Sequence, residues 1–141
     1  RERQQRQVAA LSTLFGSNDA IARIEHDQRL LAASERAKKK AFALRERFVK
    51  GPPPREMLLV KAPFATPGGS REWMWVEVVT WKEDVIHGIL DNDPVDVPTL
   101  KAGARVDVRA GDIFDYLWTK GDGTVEGNET SAIIEAMESD R

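Results

Sequence analysis

Cysteine is absent from this sequence of 141 residues, which excludes disulfides, thiolate metal sites and a cysteine nucleophile. Histidine is scarce: His26 and His87 alone cannot build a His-rich metal cluster. No apolar run approaches the ~20 residues that a membrane-spanning helix requires, so no membrane partner is expected. The chain also has no phosphate loop, dinucleotide fingerprint, nucleophile elbow or zinc motif. Neither a cofactor nor a metal is therefore expected. It begins at Arg1 without a methionine, so it reads as a fragment or processed form, and the expected location is cytoplasmic.

What is present is a soluble composition, 41% hydrophobic and 31% charged, at a length that makes one domain the default. The net charge of −2 conceals a division. Residues 1–50 carry twelve Lys/Arg against six Asp/Glu, whereas residues 51–141 carry nine against seventeen. A basic arm on an acidic body can mark a nucleic-acid contact, but the acidic body repels phosphate at long range, so nucleic acid is not the expected partner.

Glu72 to Trp81 holds three of the four tryptophans and has a strand's β-branched and aromatic composition. Met74, Val76 and Val78 fall on one face; Trp73, Trp75, Val79 and Trp81, with Glu77 among them, fall on the other. A strand apolar on both faces is covered on both, so this is the expected centre of the sheet. Around it, Met57 to Phe64, Val85 to Asp91, Ala104 to Val108 and a last strand or irregular edge over Ile113 to Thr119 alternate between turn clusters. Val95 to Pro98 is read as extended.

Before the sheet, residues 2–14 pattern as a helix stopped by Gly16, and Ala, Leu, Glu, Arg and Lys dominate to Lys50. Leu30, Ala33, Ala37, Ala41, Leu44 and Phe48 form one stripe, while Ile24, Leu31 and Phe42 form another about 140° away at 100° per residue. Residues 30–49 are expected to dock on the sheet, and residues 1–29 to form an arm suited to self-association or packing. Gly51-Pro52-Pro53-Pro54 ends the helix near Lys50. Thr130 is expected to cap a closing helix, Ser131–Glu138. The fold class is α+β: an N-terminal helical hairpin or long helix, then a small, strongly curled antiparallel sheet of about five strands (a partly open barrel), then a short C-terminal helix. The domain proper is residues 30–141.

With these residues in view, the chain resembles a bacterial family known as domain of unknown function 2314, which includes the YegJ-like proteins. The matching pieces are Trp75-Val76-Glu77, Gly88-Ile89-Leu90 with Asn92-Asp93-Pro94, Leu100-Lys101-Ala102-Gly103, Ile113-Phe114-Asp115-Tyr116 and Gly127-Asn128-Glu129-Thr130. Their order and spacing carry the likeness over roughly residues 30–138, with Asp-Tyr where the family pattern has Asp-Trp. The resemblance implies no agreed reaction, cofactor or partner.

Six residues stand out as candidate binding positions: Trp73, Trp75, Glu77, Asn92, Asp115 and Asn128. Glu77 is a carboxylate on an otherwise apolar strand, where burial would raise its pKa. The plainer reading is an ion pair with Arg105, Arg109 or Lys61. His87 shares a face with Val85 and Ile89, without partners at a recognisable spacing. Asn92 sits in Asp91-Asn92-Asp93, which lacks the glycine and distal glutamate of a calcium loop and reads as a turn. Gly127-Asn128-Glu129-Thr130 offers backbone N–H groups at a helix start, where capping is the simpler explanation. The tryptophans read first as core, then as a protein-binding surface, last as a base-stacking platform.

The reading that follows is a non-catalytic domain that binds another protein, an immunity-type protein neutralising a basic toxin being its concrete form. The alternatives are a small hydrolase-like enzyme using Glu77 with Asp115 or His87, and a single-stranded nucleic-acid-binding module.

Overall fold

A computed structural model of the protein describes residues 27–139. The arm helix over residues 2–14, its Gly16 stop, Ile24 and His26 lie outside the described residues. The chain runs through α1 (Gln28–Ala43), α2 (Arg45–Phe48), β1 (Met57–Ala65), β2 (Arg71–Lys82), β3 (Val85–Leu90), β4 (Arg105–Arg109), a 3-10 turn (Ala110–Asp112), β5 (Asp115–Thr119), β6 (Val125–Gly127) and α3 (Glu129–Ser139). The class is α+β, as expected.

Asp27 starts α1 by accepting the amides of Arg29 and Leu30 at 3.0 and 3.1 Å, which satisfies donors that the first helical turn leaves unpaired. The first stripe read from the sequence is the buried one apart from Leu44, which is half-buried: Leu30, Ala33, Ala37, Ala41 and Phe48 are all enclosed. Leu31 and Phe42 of the second stripe are more than one-third exposed.

The strands form one sheet in the order β4-β3-β2-β1-β5-β6, and each pair is antiparallel. β2 is interior, as its composition demands. Two expectations need correction. Among the described residues there are six strands rather than about five, with β4 and β6 as the edges of an open sheet. β5 is neither last nor an edge, because it lies between β1 and β6. The missed strand, β6, has three residues, too few to show any alternation. Residues 91–100, where Val95 to Pro98 was read as extended, form an irregular loop.

A third correction concerns the tryptophans. The β2–β3 register skips between Val78 and Thr80, so Val79 is an extra residue with no partner. One inserted residue reverses the parity of everything after it. Trp81 therefore leaves the face of Trp73 and Trp75 and joins Met74, Val76 and Val78 in the main core, with Ala37, Ala41, Phe48, Leu58 and Val60. Phe42 covers it edge-on, with ring centroids 5.6 Å apart. On the other face Trp73 packs with Leu30, Ile134 and Met137, joining the ends of α1 and α3, and Trp75 packs with Leu59.

Candidate functional site

Two places on the Trp73/Trp75 face gather ionisable side chains. The first lies beneath the start of α3. Lys61 interrupts the apolar run of β1, and the pairing register sets it beside Trp75 on β2 and Asp115 on β5. Both Lys61 and Asp115 are fully buried. The Lys61 ammonium lies 5.0 Å from the centre of the Trp75 ring and 5.7 Å from that of Phe114, so aromatic faces replace part of its hydration. Its hydrogen bonds go to the hydroxyls of Thr130, at 3.3 Å, and Ser131, at 3.5 Å.

Asp115 accepts from the amides of Tyr116, at 2.8 Å, and Thr130, at 3.0 Å, and from the Thr130 hydroxyl. That hydroxyl thus bridges ammonium and carboxylate, receiving from one and donating to the other. Thr130 is not the cap foreseen for the closing helix. The helix begins two residues earlier than foreseen, at Glu129, and Asp115 from a neighbouring strand accepts the Thr130 amide in its first turn. Asn128 accepts from the Ser131 hydroxyl at the same turn and holds a left-handed φ of 65°.

Burial pushes the Lys61 amine down to about 8, against the opposing pull of Asp115, and pushes the Asp115 carboxyl up, against the stabilising charge of Lys61 and its hydrogen bonds. The Lys61 shift has a consequence for stability. Between pH 8 and 10.5 the unfolded chain still holds the Lys61 proton while the folded chain has released it, so stability rises with pH across that window. The expected gain is of the order of 3 kcal/mol. Urea midpoints of the wild type and Lys61→Met, compared at about pH 7.5 and about pH 9.5, check this. The variant lacks the rise; two parallel profiles would place the amine in water.

The second gathering is at the other end of the face. His87 on β3 pairs with Thr80 on β2 and Asp107 on β4, so the three form one row across adjacent strands. His87 Nδ1 and Asp107 Oδ1 are 2.6 Å apart. Beside them a cavity of about 440 Å³ opens between β2, β3 and β4.

The remaining candidates fall as follows. Trp73 and Trp75 are buried, at 6% and 0% exposure, which encloses the indoles. Glu77 is half-buried, paired across the sheet with Leu59 and Ile89, and is a diagonal neighbour of His87. Asp115 lies two strands from Glu77 and is committed to α3. The structure brings Glu77 and His87 near one another and leaves Asp115 apart. Asn92 is buried, and its Oδ1 accepts the Trp75 amide at 2.6 Å. Glu72 completes this clamp by accepting the amides of Val95 and Asp96, both at 2.8 Å. Asn92→Ala would strand the buried Trp75 amide, and a loss of about 1–3 kcal/mol is expected in urea unfolding.

Sequence reasoning missed the roles of Lys61, Glu72 and Asp107. For Lys61 a signal existed: a single cation inside Leu58-Leu59-Val60-Lys61-Ala62-Pro63-Phe64, on the same parity as buried Leu59. Asp107 was visible only as the polar half of an alternating strand. Among the described residues no group of three or more His, Asp or Glu side chains is placed to hold a metal.

A family model described as "Uncharacterized protein conserved in bacteria (DUF2314)" matches residues 27–141. The chain belongs to this family. Several pieces that carry the DUF2314 likeness sit at the joints just described. Asn92 ties its loop to β2, and Asp115 and Thr130 meet at the start of α3. The uncharacterized protein YegJ of Escherichia coli (strain K12) is 35% identical over 63 residues, 45% of this chain. The matched region spans only 40% of that relative's length. No solved structure matches the chain. Among the described residues of this DUF2314 domain no helix is long and apolar enough to cross a membrane.

Proposed function

We propose that the domain is a non-catalytic protein-binding module, with an immunity-type protein that neutralises a basic partner as its concrete form. The observation that supports this reading is the commitment of the buried Asp115 carboxylate to the fold. Asp115, the carboxylate best suited by burial to acid–base work, spends its oxygens on Tyr116 and Thr130, and the tryptophans beside it are enclosed. An enzyme built on Glu77 with Asp115 draws no support from that placement. Stacking of bases on Trp73, Trp75 or Trp81 draws none either, since all three indoles are covered. The acidic balance of residues 51–141 supports a basic partner through long-range attraction.

The test is recovery of the untagged protein from its own cell, with the mass of the resulting assembly. A stoichiometric basic protein is expected, and its complex should weaken at least tenfold between low salt and about 0.5 M salt, where charge steering is screened. A protein that elutes alone at its monomer mass, or a complex indifferent to salt, would remove this reading.

A further inference from the structure

Beyond any protein partner, the cavity at the β2–β4 end of the sheet has the parts of a small-molecule site. Two features build it. The bulge at Val79 bends β2 and leaves that side chain 41% exposed, so the strand turns away where the row Thr80–His87–Asp107 begins. Gly88 then allows β3 to press against β2. A Cβ there would stand 2.4 Å from the Glu77 carbonyl oxygen, closer than any side chain permits. The hollow is thus shaped by backbone, and its volume of about 440 Å³ suits a small organic ligand.

The lining is chemically selective. Ile89 and the exposed Val79 supply apolar wall, while Thr80, His87, Arg105 and Asp107 supply the polar groups. Asp107 holds His87 through Nδ1, which fixes the ring and leaves Nε2 as the nitrogen available to a ligand. Arg105 pairs across the strands with Ile89, one row from the histidine, and makes no ion pair among the described residues. A planar guanidinium without a carboxylate partner among the described residues, set in an acidic body, favours a carboxylate from outside.

We propose that this cavity binds a carboxylate carried on a short apolar chain with an adjacent N–H donor, the chemistry of an N-acylated amino acid. The carboxylate pairs with the Arg105 guanidinium, the N–H donates to His87 Nε2, and the alkyl group lies against Ile89 and Val79. The Thr80 hydroxyl is a second donor to the carboxylate. The site is independent of the protein-binding reading, because it is tested without any partner.

The test is an NMR titration of the full chain with N-acetyl-leucine and with N-acetylleucinamide, following the Ile89 and Val79 methyls and the His87 ring protons. The acid should shift these signals saturably and bind at least tenfold more tightly than the amide. Arg105→Gln should abolish that tenfold preference, weakening the acid much more than the amide, whereas His87→Gln should weaken both to a similar degree. Both side chains are partly exposed, and an unchanged melting temperature confirms the fold of each variant. The absence of saturable shifts at millimolar acid, or equal affinity for acid and amide, would overturn the proposal. A leucine-terminated tetrapeptide, with its terminus free or amidated, separates the two sources of this chemistry. Tighter binding of the free peptide than of N-acetyl-leucine places the ligand on a protein terminus, and equal binding places it among free acids; each upholds the site.

Discussion

Asp115→Ala is expected to destabilise the domain by about 3–5 kcal/mol, the cost of leaving one member of a buried ionic pair without the other. The substitution strands the Lys61 ammonium, which is wholly enclosed and retains only the hydroxyls of Thr130 and Ser131 and the ring faces of Trp75 and Phe114. It also removes the acceptor that takes up the Thr130 amide at the start of α3, worth about 1 kcal/mol as a helix cap. The measurement is urea unfolding near neutral pH, with helical content followed in parallel. Pairing the change with Lys61→Met should recover most of the loss, since an apolar side chain of similar length needs no counter-charge. The double variant is the sharper test. If it is no more stable than Asp115→Ala alone, then capping, not charge, explains the effect, and the bridge through the Thr130 hydroxyl counts for little.

The second large effect is expected at Gly127, where β6 hands over to α3. Its φ of +109° is a conformation that other residues rarely adopt. The space is closed as well: a Cβ would lie 2.3 Å from the Tyr116 carbonyl oxygen. That oxygen cannot withdraw cheaply, because it accepts the Asn128 amide at 2.7 Å. Gly127→Ala therefore incurs overpacking of about 1–3 kcal/mol, with about 1–2 kcal/mol for the backbone conformation. The change should lower the urea midpoint and loosen α3, seen as faster amide exchange at Thr130 and Ser131. Gly69→Ala is the control. Gly69 shares a positive φ of 83° but has open space around it, so only the backbone part of the cost should appear.

These two positions show why so little of the site was legible in sequence. Asp115 and Thr130 are separated by a hairpin, and nothing local announces that a strand carboxylate will cap a helix fifteen residues on. Lys61 read as a possible counter-ion for Glu77; its neighbours across the sheet, Trp75 and Asp115, are set by two strand registers together. The row of Thr80, His87 and Asp107 requires three strands in register and a bulge between the first two. No spacing along one chain encodes that. The bulge also misassigned Trp81, because parity read along a strand holds only while the partner strand keeps step.

Local physical chemistry alone determined a good deal. The Leu30-to-Phe48 stripe, the helix stop before Gly51-Pro52-Pro53-Pro54, the doubly covered tryptophan strand and the order of helices before strands all follow from periodicity and backbone restriction. Those interactions reach only a few residues along the chain, so the amino-acid order carries them. Tertiary structure decided the rest: among the described residues, six strands in an open sheet, the enclosure of Lys61 with Asp115, and the meeting of His87 with Asp107 beside a cavity. Each depends on the relative register of segments far apart in the chain, and register is settled by how whole faces pack.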